Sequence, residues 1–440
     1  MSDGRRRAAL PGPSRLSPDA LQRLAAEPVD ARFKAFPGSA HLATGLTVGE
    51  VGDAGWTVHD LLLPAVTLRE SALAHNLERM AAWCAERGAS LAPHGKTTMA
   101  PQLFDWQLAV GAWGITAATM SQVRLMRAFG VARVLLANEV VDAPSLHWLA
   151  AESGRDPDFE FLCLVDSLAA VEAMEAALPG VDAAARPVEV LVELGVPGRR
   201  TGARSPADLV ALAERVAVSP RLALAGVEGY EGVLHQDREP ATVRRAAEFL
   251  SGLVDAAVDL DRRGLFNGRA EIVVSAGGSA FFDLVMDAVD GMGATSVPVR
   301  PVLRSGGYVT HDHVHYERSS PLRSAAAGPT ERFLPALELR ARVVSTPEPG
   351  LAIAGFGKRD APYDLDLPVP LAVNGAPIDG TAEAVELNDQ HAFLRHDAGL
   401  RVGDVVTFGL SHPCTAFDKW SLLPLVDDDD RVIGAVRTFF

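Results

Sequence analysis

His412 and Cys414 stand two residues apart in LSHPCTAFDKW (410–420). On an extended segment, side chains at that spacing share a face. An imidazole beside a thiolate favours zinc over harder cations. Two such ligands make half a site, which substrate and water can complete, as in open catalytic zinc centres. Lys96 lies in LAPHGKTTMAP (91–101), at the carboxyl end of an apolar run. A lysine amine so placed loses proton affinity when partly desolvated and can then form a Schiff base; the plain alternative is a surface lysine. In SAGGSAFFD (275–283), the small residues Ser275, Gly277, Gly278 and Ser279 let backbone N–H groups approach an anion closely, against the simpler reading of a tight turn. RSGGYVTHD (304–312) offers a second such loop through Gly306, Gly307 and Tyr308. Arg200, in ELGVPGRRTGAR (193–204), is an always-charged donor, with its neighbour Arg199 as a competitor for the role. Tyr230, in VEGYEG, is suited to flank a ring. His311, His313 and His315 alternate in HDHVHYE and form a rival metal set if that segment is a strand.

These residues need a scaffold that gathers them. Between about 62 and 310, short Val/Ile/Leu/Ala runs alternate with longer segments of helical period. The strand candidates are LLPAVTL (62–68), SLAPHGK (90–96), WGITAAT (113–119), VLLAN (134–138), FEFLCLV (159–165), VEVLVEL (188–194), LAGVEGY (224–230) and EIVVSA (271–276). Eight near-continuous apolar strands separated by helices predict a (β/α)8 TIM-type barrel, buried on both faces; an open doubly wound sheet is the alternative. A barrel carries its chemistry at the carboxyl ends of the strands, and the loops after the last two strands often hold phosphate. On this count SAGGS follows the eighth strand. Beyond about 325 the helical pattern gives way to short strands joined by Gly, Pro and Asp turns, a C-terminal β domain. The expected division is an N-terminal extension over 1–60, the barrel over 61–320 and the β domain, with His412 and Cys414, over 321–440. Within the extension, Ser17 is placed to cap a short helix in SPDALQRLAAE. The Asp427–Asp430 run reads as a solvated hairpin turn.

Composition excludes several classes. The 440 residues are nearly half apolar, enough for more than one core, yet no run is long and apolar enough to span a membrane. A formal net charge of -15 argues against nucleic acid and anionic membranes as partners. The basic start MSDGRRRAAL lacks the apolar stretch of a secretion signal. Three cysteines describe no disulfide framework and fit a reducing cytoplasm.

Taken together, PHGKT, VLLANEVV, the Arg-Thr-Gly at 200–202, GYEG, SAGGS and SHPC resemble the D-serine dehydratase and D-threonine aldolase family, of the alanine-racemase-like fold group of pyridoxal phosphate enzymes. The resemblance runs from about 62 to 420. It implies that pyridoxal 5'-phosphate is held on Lys96, that Arg200 faces its pyridine nitrogen and that Tyr230 lies beside it. It implies a phosphate cup from Ser275 to Ser279 with Tyr308, over which the loop of Gly306 and Gly307 could close, and zinc on His412 and Cys414, other divalent metals being open. It also implies a homodimer in which the β domain of one chain closes the barrel mouth of the other.

The function so implied is a D-amino-acid dehydratase (an ammonia-lyase) that turns D-serine or a related D-3-hydroxy amino acid into a keto acid and ammonia with zinc assistance. The alternative is a metal-dependent D-threonine aldolase that releases glycine and an aldehyde. Relatives of that kind usually pair the histidine with an aspartate, so the His-x-Cys spacing favours the dehydratase. A racemase needs no metal, and a pyridoxal phosphate carrier protein is usually a bare barrel without a β domain.

Overall fold

The computed structural model describes residues 15–37, 45–178, 186–323 and 328–440; the basic start falls outside them. Eight strands pair in parallel: β2 (Ser90–Leu91), β3 (Ile115–Ala117), β4 (Arg133–Glu139), β5 (Glu160–Val165), β6 (Val188–Leu194), β7 (Leu222–Gly229), β8 (Ile272–Ala276) and β9 (Val299–Leu303). Their order is β2-β9-β8-β7-β6-β5-β4-β3. The ends of that row meet as well: Trp113 N–H donates to the Leu91 carbonyl at 2.7 Å and Thr116 N–H to the Pro93 carbonyl at 2.9 Å, which closes the (β/α)8 barrel. Helices between the strands start and stop as their sequences dictate. Asp142 and Ser205 cap the helices Ala143–Arg155 and Pro206–Ala217, each with Pro in the first turn. Gly88, at φ 66°, ends the helix Glu70–Arg87.

The expected strand at 62–68 needs correction. Strand β1 (Ala65–Arg69) lies outside the barrel, antiparallel to β10 (Leu337–Glu348) and parallel to β17 (Leu422–Val426). The eighth barrel strand is β9, whose sequence VRPVL hid it, because proline removes a ladder donor and argues against a strand. The active rim shifts by one position as a result. SAGGS follows the seventh barrel strand and RSGGY the eighth, the two loops that hold phosphate in many barrels.

The C-terminal sheet adds β11 (Leu351–Ala354), β12 (Val369–Val373), β13 (Ala376–Pro377), β14 (Ala382–Leu387), β15 (Ala392–His396), β16 (Val405–Gly409) and β18 (Val432–Arg437) to β1, β10 and β17. The Asp427–Asp430 run does turn between β17 and β18, but it is not merely solvated. Asp430 pairs with Arg69 at 2.8 Å and Arg340 at 3.2 Å. Helix α1 (Pro18–Ala25) starts at Ser17, whose Oγ accepts the Ala20 N–H at 3.4 Å. Among the described residues no helix is long and apolar enough to cross a membrane.

Inside the barrel, Ala92, Leu135, Leu162, Leu164, Leu191, Ala225, Val273 and Val302 form an apolar floor. Strand residues of one face recur every second position, so the next inward layer is Glu139, Glu193 and Ser275. Strand β7 reaches it by a bulge. Val190 stands opposite Leu224 and Leu191 opposite Gly226, so Ala225 is the extra residue. The bulge turns Val227 outward and brings Glu228 in, opposite Ser275.

Candidate active site

Lys96 leaves the barrel wall just past β2, in the short helical turn Gly95–Thr97. Gly95 is closely packed there: a Cβ would stand 2.6 Å from Met126 Cε and 2.9 Å from Ile115 Cγ2. The Lys96 side chain reaches solvent at the barrel mouth but is hemmed in by protein. That crowding lowers its proton affinity; the Cys414 sulfur opposes the shift, while Arg200 and Arg304 add to it. His94, squeezed by burial and by Lys96 and Arg304, is held well below its ordinary value and stays neutral.

The two small-residue loops meet on the same rim. Gly307 N–H donates to Ser279 Oγ at 3.3 Å, and Ser305 Oγ donates to the carbonyls of Gly277 and Gly278, each at 3.1 Å. Side chains are excluded at the contact: a Cβ on Gly306 would lie 2.5 Å from the His94 carbonyl oxygen, and one on Gly278 would lie 2.9 Å from the Tyr230 ring. The Gly277 and Gly278 amides already hold an anion, however. They donate to the buried Glu231 carboxylate at 3.1 and 2.7 Å. Two further residues of the expected cup face elsewhere. Ser275 is fully buried in β8 and bonds the Val302 carbonyl and Arg304. Tyr308 is buried against Phe333, its hydroxyl accepting from Gln107 at 3.3 Å. Of the small residues of the expected cup, Gly278 and Ser279 are part-exposed at the rim, whereas Gly306 and Gly307 are buried beneath it.

Arg200 and Arg199 part company. The Arg200 guanidinium lies over the Tyr230 ring, 4.5 Å from its centroid. Arg199 lines a separate outer cavity of about 720 Å³ with His235, Arg238, His315 and Arg318. Burial pushes the Tyr230 hydroxyl up to about 12, so it remains protonated.

Beneath the mouth is a charged layer that sequence reasoning missed. Arg304, 5% exposed, forms an ion pair with the fully buried Glu228 and donates to Ser275 Oγ at 3.0 Å and the Gly229 carbonyl at 3.2 Å. Arg304 stood within the RSGGY motif and was the legible one. Burial, and then Glu139 across the barrel, raise Glu193 to about 8. The Glu139–Glu193 pair thus keeps a proton at neutral pH.

The His-x-Cys pair comes to the same mouth from the other domain. Cys414 Sγ is 3.5 Å from Thr97 Oγ1, next to Lys96, and 4.0 Å from the Tyr316 hydroxyl. His412 holds Asp364 through Nδ1 at 2.5 Å. Burial acts to lower His412, but Cys414 and Asp364 outweigh it and raise the imidazole to about 9. Burial would raise Cys414; His412 and Lys96 bring it below its ordinary value. The rival histidines do not converge. His311 faces Glu317 at 3.2 Å, His313 is packed against Gly409, and His315 opens a short helix beside Gln236. Among the described residues no set of three or more His, Cys, Asp or Glu is arranged to hold a metal.

The arrangement fits pyridoxal phosphate. A crowded lysine, a tyrosine ring covered by an arginine, and two small-residue loops that meet share one rim. His412 and Cys414 also fit zinc as an incomplete donor pair, by their chemistry.

Comparison with known proteins agrees with this fold. Residues 68–285 match the profile of the alanine racemase N-terminal domain, and residues 336–426 match that of a putative serine dehydratase domain. A D-threonine aldolase of Arthrobacter sp. is 27% identical over 371 residues, covering 83% of this chain and 89% of that one. The crystal structure of D-threonine aldolase from Filomicrobium marinum is similar with a TM-score of 0.72 and 25% identity, over 87% of this chain and 96% of that one. D-threo-3-hydroxyaspartate dehydratase from Delftia sp. HT23 shares the fold at a TM-score of 0.67 and 22% identity, over 87% and 99% of the chains. The two domain matches, over the barrel and the C-terminal sheet, together with these relatives, show an alanine-racemase-like fold and the chain's similarity to the D-serine dehydratase and D-threonine aldolase family.

Proposed function

We propose that the protein is a pyridoxal phosphate-dependent lyase of D-3-hydroxy amino acids, and that it dehydrates D-serine or a related substrate to a keto acid and ammonia. The observation that carries this reading is the placement of Cys414, with His412 behind it, beside Lys96 at the barrel mouth. Bound pyridoxal phosphate supplies the electron sink that makes the substrate α-C–H acidic. Lys96 is the residue to hold it and, once displaced by the substrate amine, the base for the α-proton, which its lowered proton affinity suits. Arg200, permanently charged over Tyr230, is the donor for the cofactor's ring nitrogen. The rim at Ser279, where the Gly277–Ser279 and Gly306–Gly307 loops meet, is the place for the phosphate. Zinc on His412 and Cys414 would supply Lewis acidity to the departing β-hydroxyl. The protein is further proposed to act as a homodimer.

The D-threonine aldolase reading is the second one, and the aldolase relatives favour it. Against it stands the thiol at position 414. The purified protein should be given D-serine and D-threonine, each with and without chelator. Keto acid from D-serine, suppressed by the chelator, is expected. Glycine and aldehyde from D-threonine, formed faster than any keto acid, would transfer the assignment to an aldolase.

A further inference from the structure

We propose that Asp364 is a positioning residue for the metal centre: its carboxylate holds Nδ1 of His412, which leaves Nε2 as the nitrogen for the metal. The inference rests on the reading of His412 and Cys414 as zinc ligands.

His412 needs holding. Its backbone is in the left-handed region, at φ 53° and ψ 78°, where residues with a Cβ are uncommon. Two carboxylates fix it there from different parts of the fold. Asp312, in the loop after β9 and buried, accepts the His412 N–H at 3.0 Å through Oδ2. Through Oδ1 it takes the amides of Val314 at 2.8 Å and Tyr316 at 2.9 Å. That ties the turn at 412 to the barrel rim. Asp364, in the segment between β11 and β12, fixes the ring. Its Oδ2 is 2.5 Å from Nδ1, and its Oδ1 accepts the Thr415 hydroxyl at 2.8 Å. Asp364 thus clamps both ends of the 412–415 turn.

The chemistry of the pair assigns the roles. An ionised carboxylate only accepts hydrogen bonds, so Nδ1 keeps its proton and Nε2 is the nitrogen that would give up its own to a metal. A carboxylate on the outer nitrogen of a metal-binding histidine sets its tautomer and raises its basicity. Asp364 is not itself arranged as a ligand: both of its oxygens are engaged, and the described residues hold no three-donor metal set.

The test is zinc affinity, read by competition with a chromophoric chelator, on protein carrying its pyridoxal phosphate. Wild type would be compared with D364A, D364N, H412A and C414A. The cofactor's visible absorbance reports that each variant has folded. D364A should bind zinc about ten- to a hundredfold more weakly. D364N, whose amide oxygen can still accept from Nδ1, should fall between. Cobalt-loaded D364A should keep the thiolate-to-cobalt absorption band. Wild-type zinc affinity in D364A, with metal lost in H412A, overturns the positioning role alone. Zinc retained in both H412A and C414A overturns the metal reading beneath it. Loss of the cobalt–thiolate band in a D364A protein that still holds cobalt would also overturn the role, since Asp364 would then be arranging the cysteine rather than the histidine.

Discussion

Two nucleophilic groups share the mouth, and they should be separable by substitution. Lys96 is crowded and poised below the ordinary lysine range, whereas Cys414 reaches the mouth from the C-terminal sheet. Lys96→Ala should abolish the visible absorbance of the bound cofactor; persistence of that band would remove Lys96 from its role. Cys414→Ala should keep the band, lose zinc and lose keto-acid release, while still exchanging the substrate α-proton slowly. Normal keto-acid release after its metal has gone would show that zinc does not assist the leaving group. Arg304 gives a stability test. It is the counter-charge of Glu228, which is fully buried. Arg304→Met should cost about 3 kcal/mol, the scale of breaking a buried pair. Glu228, raised by burial to about 7 even with Arg304 nearby, would rise further in the variant. A carboxyl raised above its unfolded value favours the fold at low pH, and that contribution is lost as pH rises toward its folded value. The variant should therefore be penalised more at pH 8 than at pH 6. An equal deficit at both would mean that Glu228 stays neutral throughout. Lys96, His412 and Cys414 were legible because each sits in a local motif of unusual composition. Asp364 and Asp312 were not, because their meaning lies only in His412, which is 48 and 100 residues away in sequence.

Among the elements, β7 decides what the barrel presents to its mouth. Its bulge at Ala225 turns Glu228 inward to Arg304. Gly226 makes the turn possible: a Cβ there would lie 1.8 Å from the Val273 carbonyl oxygen and 2.7 Å from its carbon, both backbone atoms of β8. A methyl group cannot be admitted by moving a side chain aside, so Gly226→Ala should cost about 3 kcal/mol or more, at the upper end of overpacking effects. Denaturant unfolding is the measurement, and an unchanged midpoint would mean that the strands are looser than this contact requires. The strand LAGVEGY was readable as a strand, but its bulge was not, since nothing in the sequence distinguishes a glycine that admits a neighbouring backbone from one in an ordinary strand. The same limit explains β1. AVTLR carries the apolar signature of a strand, but periodicity does not say which sheet receives it. In the opposite direction, the proline in VRPVL masks β9 as a strand. The barrel therefore has the expected eight strands, with β9 in the place expected of 62–68.

At the scale of the whole molecule, the sheet and the barrel are stitched together too closely to unfold apart. Strand β1 belongs to the sheet but runs directly into the helix Glu70–Arg87 of the barrel, and its two neighbours, β10 and β17, come from the far end of the chain. The N-terminal segment joins both bodies. Ser17 N–H donates to the Phe129 carbonyl on the barrel at 2.8 Å, while Val58 N–H donates to the Asp430 carbonyl of the sheet hairpin at 3.0 Å. Near the C-terminus, Phe439 N–H returns to the Met99 carbonyl at 3.0 Å, three residues past Lys96, and Gln102 Nε2 donates to the Ala435 carbonyl at 3.2 Å. Freeing the sheet would strip β1 of its partners, expose the buried Leu68 and unhook the loop that carries Lys96. Chains this long often unfold in steps. Here the two halves of the candidate site should be lost together. Heating the holoprotein should give one transition, with the far-ultraviolet circular dichroism of the whole fold and the visible absorbance of the bound cofactor disappearing at the same temperature. Coincidence of the two probes is the criterion for a single cooperative unit. An earlier step in which the dichroism changes while the cofactor band stays intact would show instead that the C-terminal sheet melts away from a barrel that holds its cofactor unaided.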